Sequence, residues 1–268
     1  MENKQTNPPT AQENIMGTMA INPLLVKLSI PMMVSMLVQA LYNVVDSIFV
    51  SHVSEGALTA VSLAFSLQNV MIAVGVGTGV GVNAMLSKSL GEKNQSRANA
   101  TAKNGIFLSL CSFVVFLVIG LTCMKPYFYA QTSDAAIAQQ GIQYLSVCCI
   151  FSLGLFTQTM GEKLLAATGR TNLSMCSLLI GAIVNIVLDP ILIFLFGLGV
   201  RGAAIATVLS QAVGAIWIIR FLTGPKTTLR LKKEYLKPEG KIVLPVLALG
   251  ISTFVMMSTE SLLSISFS

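Results

Sequence analysis

Asp46 and Asp189 lie inside runs of apolar residues, 24–51 and 173–196, each long enough to cross a membrane. On insertion scales an acidic side chain near mid-bilayer costs about 2.5–3.5 kcal/mol, so it faces a partner, an ion path or a water-filled space. Asn185 precedes Asp189 by one helical turn and shares its face, and Pro190 follows directly. Pro190 has no N–H to offer the carbonyl of Ile186. That carbonyl and the side-chain oxygens, set near Asp46, would suit Na⁺. Alternatively, two carboxylates close together in low dielectric would share one proton. A proline kink capped by Asn185 is the plainer reading of the same residues.

In the first run Ser35, Gln39, Tyr42 and Asp46 recur at spacings of four, three and four, so they share a helix face, with Asn43 beside them. Neutral polar residues in such a row commonly hold membrane helices together. The carboxylate is what points instead to an ion or proton site. Pro31 in the same run is a bending point, static or moving. Ala203, Thr207 and Gln211 form a stripe in a later run, next to Gly202, Ala206, Ser210 and Gly214. Small residues there favour close helix approach, and Thr207 could add an oxygen to the site. Gln158, Glu162 and Glu260 are candidate contacts for an organic cation on a cavity wall. Glu162 beside Lys163 also reads as an anchor at the membrane interface.

Other motifs carry no chemistry. The ladder Gly75, Gly77, Gly79, Gly81 has no strand before it and lacks dinucleotide-fingerprint spacing, so it reads as close helix packing. His52, the only histidine, falls in a loop position. The five cysteines lie in apolar runs without metal-ligand spacing and read as packing residues. No His-Glu-x-x-His motif or activated nucleophile suggests an enzyme. The thirteen methionines fill the core and would also suit a pocket for varied hydrophobic molecules.

These residues need helices to position them, and the composition supplies membrane helices. Apolar residues are 54% of the chain and charged residues 10%, against about 25% charged in soluble domains. Seven continuous apolar spans, near 24–51, 57–87, 104–124, 135–162, 173–196, 202–222 and 242–268, can each cross about 30 Å of hydrocarbon. They lack the period-two alternation of a barrel. If the N-terminus is cytoplasmic, all of the 17 Lys and Arg except Lys125 and Arg201 fall on the cytoplasmic side. The charge of +6 is thus a topology signal, and nucleic acid is not an expected partner. Membrane lipid is.

The expected organisation is a cytoplasmic tail (1–23), a six-helix lobe (24–222), a basic cytoplasmic linker (223–241) with Pro225 and Pro238, and one further helix (242–268). Leu247-Ala-Leu-Gly250-Ile faintly echoes Leu28-Ser-Ile-Pro31-Met, as parallel transporter repeats would. The seventh span therefore reads as the first helix of a truncated second lobe.

Three stretches resemble the multidrug and toxic compound extrusion (MATE) family. One is Pro31 with Asn43-Val-Val-Asp46-Ser-Ile-Phe-Val. Another is Gly-Val-Gly-Val-Asn83-Ala-Met-Leu-Ser-Lys-Ser-Leu-Gly91-Glu-Lys-Asn94. The third is Gly181-Ala-Ile-Val-Asn185-Ile-Val-Leu-Asp189-Pro190-Ile-Leu-Ile-Phe with Gly-Leu-Gly199-Val-Arg-Gly-Ala-Ala-Ile-Ala-Thr207-Val-Leu-Ser-Gln211. The resemblance spans roughly 17–222 and is to the bacterial multidrug-exporter branch. It implies an all-α integral membrane protein with twelve helices in two six-helix lobes. It also implies a central cavity for organic cations, coupling to Na⁺ or H⁺ with no other cofactor, and a place in the bacterial cytoplasmic membrane. Carried over by motif, Asp46, Asn185, Asp189 and Thr207, with Ala203 beside them, would bind the coupling cation. Pro31 and Pro190 would bend their helices. Gln39, Tyr42, Asn43, Gln158, Glu162 and Glu260 would face the substrate. Many relatives have asparagines where this chain has Gln158 and Glu162. A lipid-linked oligosaccharide flippase of the same superfamily is the nearest alternative, but it would want cationic residues along its cavity. A non-transporting half-lobe is the other.

Overall fold

The computed structural model describes residues 19–224 and 240–266, with side-chain surroundings through 259. The linker 225–239 and the tail 1–18 lie outside the described residues, as does the side chain of Glu260. All regular structure described is helical. The helices are α1 (Ile21–Ser51), α2 (Glu55–Gly91), α3 (Gln95–Thr122), α4 (Met124–Gln131), α5 (Ala135–Ile150), α6 (Leu153–Ala167), α7 (Thr171–Pro190), α8 (Val200–Leu222) and α9 (Gly240–Ser266). A π-helical turn, Ile191–Leu195, extends α7. Among the described residues six helices are long and apolar enough to span a membrane, and α5 with α6 make a seventh if the bent pair counts as one. The chain is a multi-pass membrane protein.

Local chemistry sets the boundaries. The Ser54 hydroxyl accepts from Ala57 N–H (3.0 Å), Asn94 accepts from Arg97 N–H (3.0 Å) and Asp134 from Ala136 N–H (2.8 Å), which caps the N-termini of α2, α3 and α5. After the π turn, Gly197 (φ +64°) and Gly199 (φ +54°) reverse the chain into α8. Gly199 pairs that φ with ψ −131°, backbone essentially reserved to glycine.

Two elements differ from the sequence expectation. The span 135–162 is two helices bent by 51° around Phe151 and Ser152, and it runs on to Ala167. No proline causes the bend. Ser152 and Gly154 flank it, the kind of small-residue site where membrane helices kink. The bend brings Gly154 against α8, where a Cβ would stand 3.1 Å from Ala212 N. The short helix α4 falls between two of the expected spans. It is held by Phe128, which is fully buried, and by Tyr127, whose hydroxyl donates to the Leu63 carbonyl (3.1 Å). The helix α1 continues through Pro31, a buried residue whose carbonyl accepts from the Ser35 hydroxyl (2.7 Å).

The centre of the bundle is α2, packed on α3, α5, α6 and α9. Its glycine ladder faces two neighbours at once. A Cβ at Gly75 would stand 3.3 Å from the Phe156 ring, and one at Gly79 would stand 2.8 Å from Lys163 Cγ, both on α6. One at Gly77 would meet the Gly250 carbonyl at 3.1 Å, and one at Gly81 would collide with the Val246 carbonyl, both on α9. The third layer is α7 between α1 and α8. In α1 only Pro31, Ser35 and Val50 are buried, while Met33, Met36 and Leu37 are exposed, as expected of a helix against lipid or another protein face.

Candidate functional site

The packing of α1 on α7 carries Asp46 to Asp189. Asp189 is fully buried at the end of α7, and the two carboxyl groups approach within hydrogen-bond reach of each other. The Asn185 amide donates to Asp189 Oδ1 (3.4 Å), the i, i+4 geometry the spacing predicts. Three buried oxygens are left without a partner: Asp46 Oδ1, Asn185 Oδ1 and Asp189 Oδ2. Buried polar atoms in native proteins are nearly always satisfied, so three orphaned oxygens together ask for a proton, a water or a cation. All are hard oxygen donors, the chemistry that suits a small alkali cation. Among the described residues no group of three or more His, Cys, Asp and Glu is placed to hold a metal ion. Only two carboxylates contribute here.

Ala203 and Thr207 are buried on α8, which packs on α7 and on the π turn. A Cβ at Gly202 would stand 2.7 Å from the Leu192 carbonyl. The Thr207 hydroxyl donates to the Ala203 carbonyl (3.0 Å), which leaves its lone pairs available as acceptors. Pro190 ends the α-helical hydrogen-bonding of α7, and the chain continues in wider π geometry from Ile191.

Beside this cluster is a cavity of about 350 Å³. Gln39, Tyr42, Asn43, Gln158, Glu162 and Asn185 all line it. Gln158 is buried and boxed in by glycines. A Cβ at Gly214 would stand 2.8 Å from its Cδ, and one at Gly181 would lie 3.8 Å from its Nε2. From that fixed position its amide donates to Glu162 Oε1 (3.1 Å). Met32, Met36 and Met257 supply flexible apolar wall, consistent with a pocket that adapts to shape. Glu260 lies three residues beyond Met257, and its side chain is outside the described residues.

Two features were not foreseen. Tyr144 on α5 is buried and donates to Gln68 Oε1 on α2 (3.4 Å), within electrostatic reach of Asp46, Tyr42 and Asp189. Lys163, counted in the sequence only among the cytoplasmic-side cations and as the neighbour of Glu162, also belongs to the cavity wall.

The MatE family model matches residues 31–191, well over half of the chain. The chain belongs to the MatE family. It is 26% identical over 230 residues to the "Multidrug export protein MepA" of Staphylococcus haemolyticus, a match covering 85% of this chain and 51% of that protein. It superposes on a crystal structure of MATE in complex with MaL6 with a TM-score of 0.84 and 31% identity, over 87% of this chain and 52% of that one. It also matches a multidrug resistance MATE transporter of the MOP superfamily in an inward-facing conformation (TM-score 0.83, 30% identity, 90% and 55% covered). The chain thus spans about half the length of the MATE relatives it matches.

Proposed function

We propose that this chain carries the coupling-cation site and half of the substrate cavity of a MATE transporter that exports organic cations in exchange for Na⁺ or H⁺. The supporting observation is the Asp46–Asp189–Asn185 cluster, with three orphaned oxygens, set beside a cavity that contains Glu162. With the N-terminus inside a bacterial cytoplasmic membrane, as the Lys and Arg distribution favours, the membrane potential draws cations inward to the pair. One charge crossing 100 mV supplies about 2.3 kcal/mol, worth roughly 50-fold in substrate concentration.

The residues divide the work. Asp46 and Asp189 hold the cation by charge, while Asn185 and Thr207 complete its oxygen shell. Because Asp46 comes from α1 and Asp189 from α7, a bound proton or Na⁺ draws these helices together. Its release sets two carboxylates against each other and favours their separation. A substrate cation at Glu162 favours the other arrangement of the cavity, and the two ligands exchange through that shared equilibrium. Alternating access needs a second rigid body to rock against. In this reading α9 begins that body, and its seat on the glycines of α2 joins the two.

Uptake of a fluorescent cation into proteoliposomes tests this, with the chain joined to a second six-helix lobe of the family. Cation-driven transport that is lost in Asp46→Asn is expected. Transport at the parent rate in that variant would refute the site.

A further inference from the structure

We propose that Lys163 sets the substrate preference of the cavity, tuning it towards zwitterionic amphiphiles and away from simple monocations. This rests on the reading of the cavity as the substrate site. Glu162 and Lys163 both line it, side by side in sequence and about 100° apart around α6. The wall therefore includes two residues of opposite charge whose side chains leave α6 in different directions. Each is held. Gln158, wedged against Gly214, orients the Glu162 carboxylate (3.1 Å). The stem of Lys163 lies on Gly79 of α2, where any Cβ would come within 2.8 Å of its Cγ. Its backbone carbonyl accepts from the Asn83 amide (3.3 Å).

Among the described residues no carboxylate lies within 4 Å of the Lys163 ammonium. Its charge still reaches Glu162 electrostatically. A monocation bound at Glu162 feels that like charge as repulsion. A molecule that also carries a carboxylate turns the same ammonium into a contact. At an effective dielectric of about 20, unit charges about 10 Å apart change an equilibrium constant by roughly tenfold. One side chain thus moves the two ligand types in opposite directions.

The test uses a matched pair of dyes. Rhodamine B carries a xanthylium cation and a carboxylate, and its ethyl ester keeps only the cation. Binding of each to the purified full chain is followed by fluorescence polarisation for the parent, Lys163→Met, Lys163→Gln and Lys163→Arg. The charge-free variants are expected to bind the ester about tenfold more tightly and rhodamine B about tenfold more weakly. Lys163→Arg should match the parent for both. Opposite shifts cannot come from misfolding, which weakens both dyes. If both dyes move together, or neither moves while the parent binds the ester, the role of Lys163 is overturned and the cavity reading stands. A parent that binds neither dye overturns both.

Discussion

Asp46 and Asp189 meet with one oxygen each unpartnered, and every other candidate residue takes its meaning from that contact. Asp46→Asn keeps the shape and removes a charge, so cation-dependent steps should vanish while thermal stability in detergent stays at or slightly above the parent value. Loss of folding instead, seen as a lowered melting temperature, would make the pair structural. Glu162→Gln is expected to weaken organic-cation binding about tenfold or more, since at an effective dielectric of about 20 a unit charge about 8 Å from the bound cation contributes about 2 kcal/mol. Equilibrium binding of tetraphenylphosphonium checks this, and an unchanged affinity would remove Glu162 from the substrate wall. These carboxylates were legible in the sequence because a charge inside an apolar span has few structural uses. Asn185 was legible through its one-turn spacing from Asp189. The pairing of Tyr144 with Gln68 was not. Neutral polar side chains are common in membrane helices, and no local spacing connects two residues on different spans. The place of Lys163 on the cavity wall was not legible either, because a lysine near a span end carries no local sign of which neighbouring helix its side chain packs on.

At the scale of elements, packing argues from glycine. The seven apolar runs were visible as composition. The 51° bend at Phe151 and Ser152 was not, because no proline marks it and the fit of Gly154 against Ala212 on α8 is a contact between distant segments. The helix α4 was hidden for a similar reason, since eight residues are too few to show a period and its anchor is the burial of Phe128. Gly81→Leu should drive a side chain into the Val246 carbonyl and cost at least about 1–3 kcal/mol. The control Gly91→Ala faces open space and should change little. Comparison of their unfolding midpoints in one detergent checks both, and equal midpoints would mean that α9 does not seat on α2. Gly199→Ala is expected to destabilise by about 1–3 kcal/mol, because its backbone lies where a Cβ is strained.

For the whole molecule, the charge asymmetry predicts which ends face the cell interior. Lys125→Cys should react with an impermeant maleimide from outside intact cells, whereas Gly91→Cys should react only after permeabilisation. The reverse pattern would invert the topology. With α1 largely exposed and α9 packed on α2, the 268-residue chain reconstituted alone is expected to bind cations without moving substrate. Transport by it at the rate of a two-lobed relative would show that copies pair into a working unit. The central claim is that the two aspartates, and not Glu162, hold the coupling cation. Cation uptake by the purified chain tests it most directly, with Na⁺ binding and proton release followed together in weakly buffered detergent solution. The account predicts one saturable site, lost equally in Asp46→Asn and Asp189→Asn and retained in Glu162→Gln. Uptake that survives both aspartate changes, or disappears in Glu162→Gln, would contradict it.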